Sequence, residues 1–292
     1  TLKLMTQFKY HLDKTSKKFN CPKCGKKSFV KYIETETGHY ADSQYGRCDR
    51  EIKCGYFEYP NGNSIINYNY VAPPPVKPTY IDREILQKTL TKYELNPLAT
   101  YLYNHYDKDE VNVTIDKYQV GTSKMYNGAT VFWQMDNTGK IRTGKIMAYD
   151  IATGGRIQDD NISYVNWVHF KLKIPKDSIR QCLFGLHLLN AKTKQVAIVE
   201  SEKTAIIMSI ESPNYTWMST GTISGFKYEY LAPLKGTAII AFPDKGGYAQ
   251  WQKTAEKLNE KGFEIEVSQF LENKEYDDGW DLVDVLNYES KK

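Results

Sequence analysis

Three features of the sequence predict an α+β chain built from several modules. Four of the 5 cysteines fall in two pairs, Cys21/Cys24 and Cys48/Cys54. One proline-rich run, Val71-Ala-Pro-Pro-Pro-Val-Lys-Pro78, follows them. From Lys194 onward, strand-like and helix-like segments alternate. The pairs predict a metal-binding ribbon over 1–70, and the prolines an extended linker over 71–80. The alternation predicts a C-terminal α/β module over 194–292 with a mainly parallel sheet, and residues 81–193 read as a mixed α/β subdomain.

Length and composition fit that division. At 292 residues the chain holds two or three modules, and 41% hydrophobic with 25% charged residues excludes wholesale disorder and fibrous classes. No apolar run approaches the roughly 18 residues that span a bilayer, and residues 1–20 lack the apolar block of a secretory signal. The expectation is a cytoplasmic protein without membrane contact, in a compartment where clustered cysteines bind metal instead of forming disulfides. Charge is uneven: residues 1–60 carry 12 Lys or Arg against 7 Asp or Glu, although the whole chain is only +4. A basic end on a near-neutral body points to an anionic partner.

In the ribbon, Cys21-Pro-Lys-Cys24-Gly is a knuckle that turns two sulfurs to one side. Cys48 and Cys54 form a second pair with wider spacing, again followed by glycine. Four thiolates in a tetrahedron saturate Zn²⁺, which makes the predicted site closed and structural. Residues 28–34 and 40–47 alternate about Thr37-Gly38, predicting a hairpin, with His39 at its turn as an alternative ligand. Cys182, alone in an apolar stretch, reads as a core residue. Lys23, Lys26, Lys27, Lys31, Arg47, Arg50 and Lys53 interleave with Phe29, Tyr32, Tyr40 and Tyr45. Cations and rings together suit single-stranded DNA, although the rings could equally form the ribbon's own small core.

In the middle region, Ile85, Leu86, Leu90, Leu95, Leu98 and Leu102 predict helices over 82–106, with Pro97 opening the second. Strands are expected over 118–122, 129–135, 141–149 and 163–170, with a turn at Asp136–Gly139. Lys140, Arg142 and Lys145 lie on or beside one of them and could face nucleic acid.

In the last module, a strand over 195–200 ends in Glu200 and one over 237–244 ends in Asp244. Helices follow from Ser201 or Glu202 and from Tyr248, with further strands over 215–219 and 263–267. Acids at the carboxyl ends of parallel strands fall on the edge where α/β sheets place their sites. Converging carboxylates call for a hard cation, Mg²⁺ or Mn²⁺, which Asp281 could help to hold. The alternative is that each acid caps a helix N-terminus.

Taken in order, Val199-Glu200-Ser-Glu-Lys203-Thr-Ala, Ser219-Thr-Gly221-Thr, Ala241-Phe-Pro-Asp244-Lys-Gly and Gly279-Trp-Asp281-Leu-Val-Asp284 resemble the motif series of TOPRIM domains. More narrowly, they resemble the bacterial-type DNA primases of phages and mobile elements, which also carry an N-terminal zinc ribbon. Phe132-Trp-Gln-Met-Asp136 and Leu183-Phe-Gly-Leu are similar to connecting segments of those enzymes.

The resemblance implies a primase that makes short RNA primers by metal-dependent nucleotidyl transfer. Glu200 and Asp244 match its metal-binding acids, and Asp281 and Asp284 match its later acidic motif. Lys203 or Lys145 would meet phosphates, while Lys26, Lys27, Arg47, Arg50, Arg142 and Lys145 would hold template. The implied partners are single-stranded DNA, nucleoside triphosphates and a replicative helicase. The sequence departs from the pattern at Asp244-Lys245-Gly246, where the family has a second aspartate. The helical and helicase-binding regions that follow in family primases do not fit in the residues after Asp284. A non-catalytic DNA-binding accessory protein and a TOPRIM nuclease are the alternatives.

Overall fold

The computed structural model describes residues 9–50, 53–60, 76–159 and 162–290, in two compact units divided at Pro75/Val76. Most of the proline-rich run, residues 71–75, lies outside the described residues.

The first unit is an antiparallel sheet of short strands: β1 (Tyr10–Leu12), β2 (Phe19–Asn20), β3 (Lys27–Glu34), β4 (Gly46–Cys48) and β5 (Phe57–Glu58). The predicted hairpin is present. Its return begins as an isolated bridge between Tyr40 and Ile33 and resumes as strand at Gly46. Phe29 and Tyr32 are buried, so two of the four rings expected on a stacking surface form the ribbon's core instead.

The second unit opens with α1 (Arg83–Gln87), α2 (Pro97–His105) and α3 (Lys108–Tyr118). Pro97 stands at the start of α2 behind an Asn96 cap, as expected. Helix α3 was not expected. Its β-branched stretch, Val111 to Ile115, reads as strand-like, yet Asp107 caps it and Val111, Ile115 and Tyr118 share a buried face. The strand expected over 118–122 shrinks to β6 (Gly121–Thr122), the edge of an antiparallel sheet whose order continues through β7 (Thr130–Met135), β8 (Ile141–Met147) and β9 (Val165–Trp167). The segment after β9 closes as α4 (Val168–Lys171). Along β7, Phe132 joins one core while Val131, Trp133 and Met135 join another, as strand alternation requires.

The remainder is a four-stranded parallel sheet with helices between its strands: β10 (Gln195–Val199), α5 (Glu202–Glu211), β11 (Thr216–Ser219), α6 (Tyr228–Leu231), β12 (Ala238–Ala241), α7 (Tyr248–Asn259), β13 (Glu264–Val267) and α8 (Leu282–Glu289). Its order is β11-β10-β12-β13, so the chain reverses direction across the sheet between β10 and β12. Residues Val196–Val199 are buried on both faces, which explains their unbroken apolar run. Val196 and Ile198 pack with Trp251 and Leu258 of α7; Ala197 and Val199 pack with Ala205 of α5, Val283 of α8, and Phe132 and Met147 of the antiparallel sheet. Regions 81–193 and 194–292 therefore share one core. Among the described residues, no helix is long and apolar enough to cross a membrane.

Candidate metal centres

In the ribbon, the sulfurs of Cys21, Cys24, Cys48 and Cys54 all lie within 4.8 Å of one another. The first knuckle closes through Gly25 N–H to Cys21 O (2.9 Å), with Gly25 at φ +67°, where a side chain would be strained. Despite the wider spacing of the second pair, Cys54 is held near Cys48, because its N–H donates to Arg50 O (2.7 Å). The amide of Lys26 holds the Cys24 thiol down at about 6, and the Ser28 hydroxyl lowers Cys48. Donors aimed at sulfur favour the thiolate that metal requires. Burial pushes the Cys54 thiol the other way, up to about 11. Four sulfurs this close together fit a tetrahedral Zn²⁺, and His39 is exposed at its turn, outside the group. Cys182 is buried in the second unit, and burial pushes its thiol up to about 12.

Of the expected nucleic-acid contacts in this unit, Lys26, Lys27 and Arg47 are exposed. Arg50 is half-buried, with its guanidinium reaching toward Cys24 Sγ (3.9 Å). Lys31 lies over the Phe19 ring at 4.5 Å, and the exposed rings of this unit include Phe57 and Tyr59, which sequence reasoning did not single out.

The second site lies on the carboxyl edge of the parallel sheet. Register pairs Ile198 with Ala241, and Phe242 N–H donates to Ile198 O (2.7 Å), so Glu200 leaves β10 beside the segment carrying Asp244. This is the point where strand order reverses, the crevice where open α/β sheets bind ligands. Helices α5, α7 and α8 all begin here, and their positive ends favour anionic groups.

The carboxylates are crowded and poorly solvated. Burial pushes Glu200 up to about 7, opposed by the Asp244 amide. Burial also pushes Asp244 up to about 8; the negative charges of Glu200, Asp281 and Asp284 add to this, and Lys203 opposes it. Burial raises Asp284 as well, followed by the charge of Asp281. Glu200, Asp244, Asp284 and Lys203 therefore share one edge.

Asp281 has a different part. It stands at the N-cap of α8. Its Oδ1 accepts from the amides of Val283 (2.8 Å) and Asp284 (3.0 Å), and its Oδ2 accepts from the Thr204 hydroxyl of α5. The capping alternative holds for this acid and, through one oxygen, for Asp284, whose Oδ2 accepts from the Asp281 N–H (3.0 Å) in a reciprocal capping box; Asp281 also ties α8 to α5.

Among the described residues, only the cysteines bring three or more ligand atoms within 4.8 Å, so the acids do not form a closed cage. Such a donor set fits Mg²⁺ or Mn²⁺, which keep waters and bind through one or two carboxylates. Gly247 packs closely against this edge: a Cβ there would come 3.0 Å from Asp244 O and 3.3 Å from Glu200 Oε1.

The two cations expected to meet nucleic acid from β8 diverge. Arg142 donates through Nε to Asp136 Oδ2 (2.7 Å), lies over the Tyr80 ring, and lines a cavity of about 1190 Å³. Trp167, Phe170, Lys176, Arg180 and Lys227 also line this cavity, together with the acids Asp136 and Glu229, and Phe170 is 71% exposed. Lys145, by contrast, is buried and points inward, bonding Glu202 Oε2 and Gly221 O at 3.0 Å each. Its place on the same β8 face as Met147 explains this, because that face is packed against the parallel-sheet module. Sequence reasoning missed Glu202 as its partner, because a glutamate in the polar first turn of a helix reads as an ordinary solvated residue.

Two predictions follow from these geometries. Removing zinc with a chelator, or replacing Cys48 by serine, should unfold residues 9–60 while residues 76–290 keep their hydrogen-exchange protection. At the acidic edge, the native carboxylates hold protons that an unfolded chain releases near pH 4, so stability should fall as pH rises from about 4 to about 8. In metal-free solution, Asp244→Asn should flatten that fall, raising the melting midpoint relative to wild type at about pH 9 by on the order of 3 °C, with little difference at about pH 5.

No curated protein matches the chain. Three solved structures that it resembles are primase fragments. The RNA polymerase domain of Mycobacterium tuberculosis primase DnaG is 13% identical with a TM-score of 0.46, over 70% of this chain and 76% of that one. The primase fragment of the bacteriophage T7 primase-helicase protein is 15% identical with a TM-score of 0.43, over 94% and 96%. The E. coli primase catalytic core is 14% identical with a TM-score of 0.46, over 70% and 74%. Residues 8–68 match a zinc beta-ribbon finger family, which agrees with the four-cysteine cluster. Residues 96–245, which include Glu200 and Asp244, match the model of a domain of unknown function (DUF6371), and the chain belongs to that family.

Proposed function

We propose that this chain is a primase-like, DNA-binding protein that uses a divalent cation for nucleotidyl transfer. The observation that carries the reading is the meeting of Glu200 and Asp244, desolvated, at the reversal point of a parallel sheet. The ordered motif series around them, read as a TOPRIM domain, supports it. Glu200 and Asp244, with Asp284 beside them, would hold Mg²⁺ or Mn²⁺. When bound, the ion neutralises phosphate charge and aligns a triphosphate for attack.

The chain's own residues supply the rest. Lys203, close enough to depress Asp244 and Asp284, would receive a phosphate at the same edge. The N-termini of α5 and α7 add amide donors. The cavity near Arg142, Lys176, Arg180 and Lys227, with the exposed ring of Phe170, offers cations and a stacking surface for single-stranded template. The exposed Lys26, Lys27 and Arg47 of the ribbon would provide further phosphate contacts. A helicase partner rests on the family resemblance alone.

Two features favour a second reading as a non-catalytic DNA-binding accessory protein: Lys245 stands where the resembled motif has its second metal-binding aspartate, and Asp281 is spent on a helix cap. Incubation with varied single-stranded DNA templates, ribonucleotides and Mn²⁺ or Mg²⁺ separates the readings. Template-dependent short oligomers are expected, with Glu200→Gln and Asp244→Asn each lowering the yield by roughly 10²-fold or more. DNA binding without synthesis in any template would establish the accessory reading, and strand scission in its place would identify a nuclease.

A further inference from the structure

Beside the acidic edge lies a buried ion pair that neither metal centre uses. The Lys145 and Glu202 side chains are 8% and 2% exposed, and Nζ–Oε2 is 3.0 Å. The same ammonium donates to Gly221 O at 3.0 Å. Gly221 in turn donates its N–H to Glu200 O (2.8 Å), and Thr220 N–H donates to Val199 O (3.0 Å). The Gly221 peptide is thus gripped from both sides, by Lys145 on one and by the backbone of Glu200 on the other. Gly221 sits at φ +76°, and a Cβ there would come 3.0 Å from Glu202 Oε1 and 3.7 Å from Lys145 Nζ. Glycine is what allows the pair to close this tightly.

We infer that the Lys145–Glu202 pair positions the Glu200 end of β10 by pinning the Gly221 turn against it, an inference that rests on the cation-site reading of Glu200 and Asp244. Packing alone does not account for the pair. Two apolar side chains would fill the same volume without the cost of desolvating two charges. The other carboxylate oxygen, Glu202 Oε1, is buried without a hydrogen-bond partner, a further cost. What an apolar pair cannot supply is direction: charge-assisted bonds from one ammonium fix both the first turn of α5 and the end of β11. Lys145 projects from β8, so the antiparallel sheet sets the geometry of the acidic edge. Groups that support metal ligands in this way typically change affinity by 10–100-fold when removed.

The test is Mn²⁺ binding by isothermal titration, with the melting midpoint measured in parallel. The double variant Lys145→Met/Glu202→Leu removes the pair while preserving net charge and apolar volume. It should melt at or above the wild-type midpoint, yet bind Mn²⁺ at least about tenfold more weakly. Wild-type affinity in a stably folded double variant would overturn the inference and leave the cation site standing. Glu202→Gln serves as a second variant, because its carbonyl still accepts from Lys145: affinity should stay within about threefold of wild type, and a tenfold loss there would show that charge, not the tether, matters. If the wild-type chain itself binds no Mn²⁺, the cation-site reading fails and the inference falls with it.

Discussion

The acidic edge exists because parallel register forces it. With β10 beside β12 and Ile198 opposite Ala241, the segments that follow the two strands leave the sheet together, one carrying Glu200 directly after β10 and the other carrying Asp244 three residues after β12. The surrounding helices then withhold water from them, which is why Glu200 and Asp244 rise to about 7 and about 8 instead of titrating as ordinary carboxylates. Two partly desolvated acids side by side are unfavourable unless a proton or a cation intervenes. The rest of the module accommodates that tension. Three helix N-termini face the edge, Lys203 stands beside it, and Asp281 spends both oxygens on holding α8 in place so that Asp284 reaches the same region.

The antiparallel sheet is part of this arrangement, not a separate appendage. Phe132, Met147 and Tyr149 pack in the same core as Val199 and Ala205, and Lys145 extends that contact into a charged tether at Gly221. A parallel sheet of four short strands buries its second face only with these neighbours. The zinc ribbon stands apart in its energetics: Phe29 and three of the four paired cysteines form its buried cluster, with Cys24 partly buried against it, so metal coordination carries much of its folding free energy.

Much of this was readable in the sequence, for definite reasons. Val196–Val199 and Ala238–Ala241 are short apolar runs with an acid following within three residues, and their length and alternation with helix-like segments suit parallel strands. The cysteine pairs announced the ribbon because a metal constrains spacing more tightly than a core does. Other parts were hidden. Helix α3 carries β-branched residues whose strand propensity is overridden by packing against α2 and α5. The burial of Tyr32 and Phe29 could not be told from a stacking surface, because a ribbon this small needs the same rings for its core. Lys145 looked like a phosphate contact since sequence gives its face but not what covers that face, and its partner Glu202 lies 57 positions away. Asp281 looked like a ligand because a capping aspartate and a metal-binding aspartate read identically in one dimension.

The most direct test of the central claim is anomalous diffraction from crystals soaked in Mn²⁺. A peak bridging the carboxylates of Glu200 and Asp244, with Asp284 within reach through water, is the expected result. Well-ordered side chains at these positions with no anomalous peak between them, in crystals where zinc is visible at the four cysteines, would contradict it.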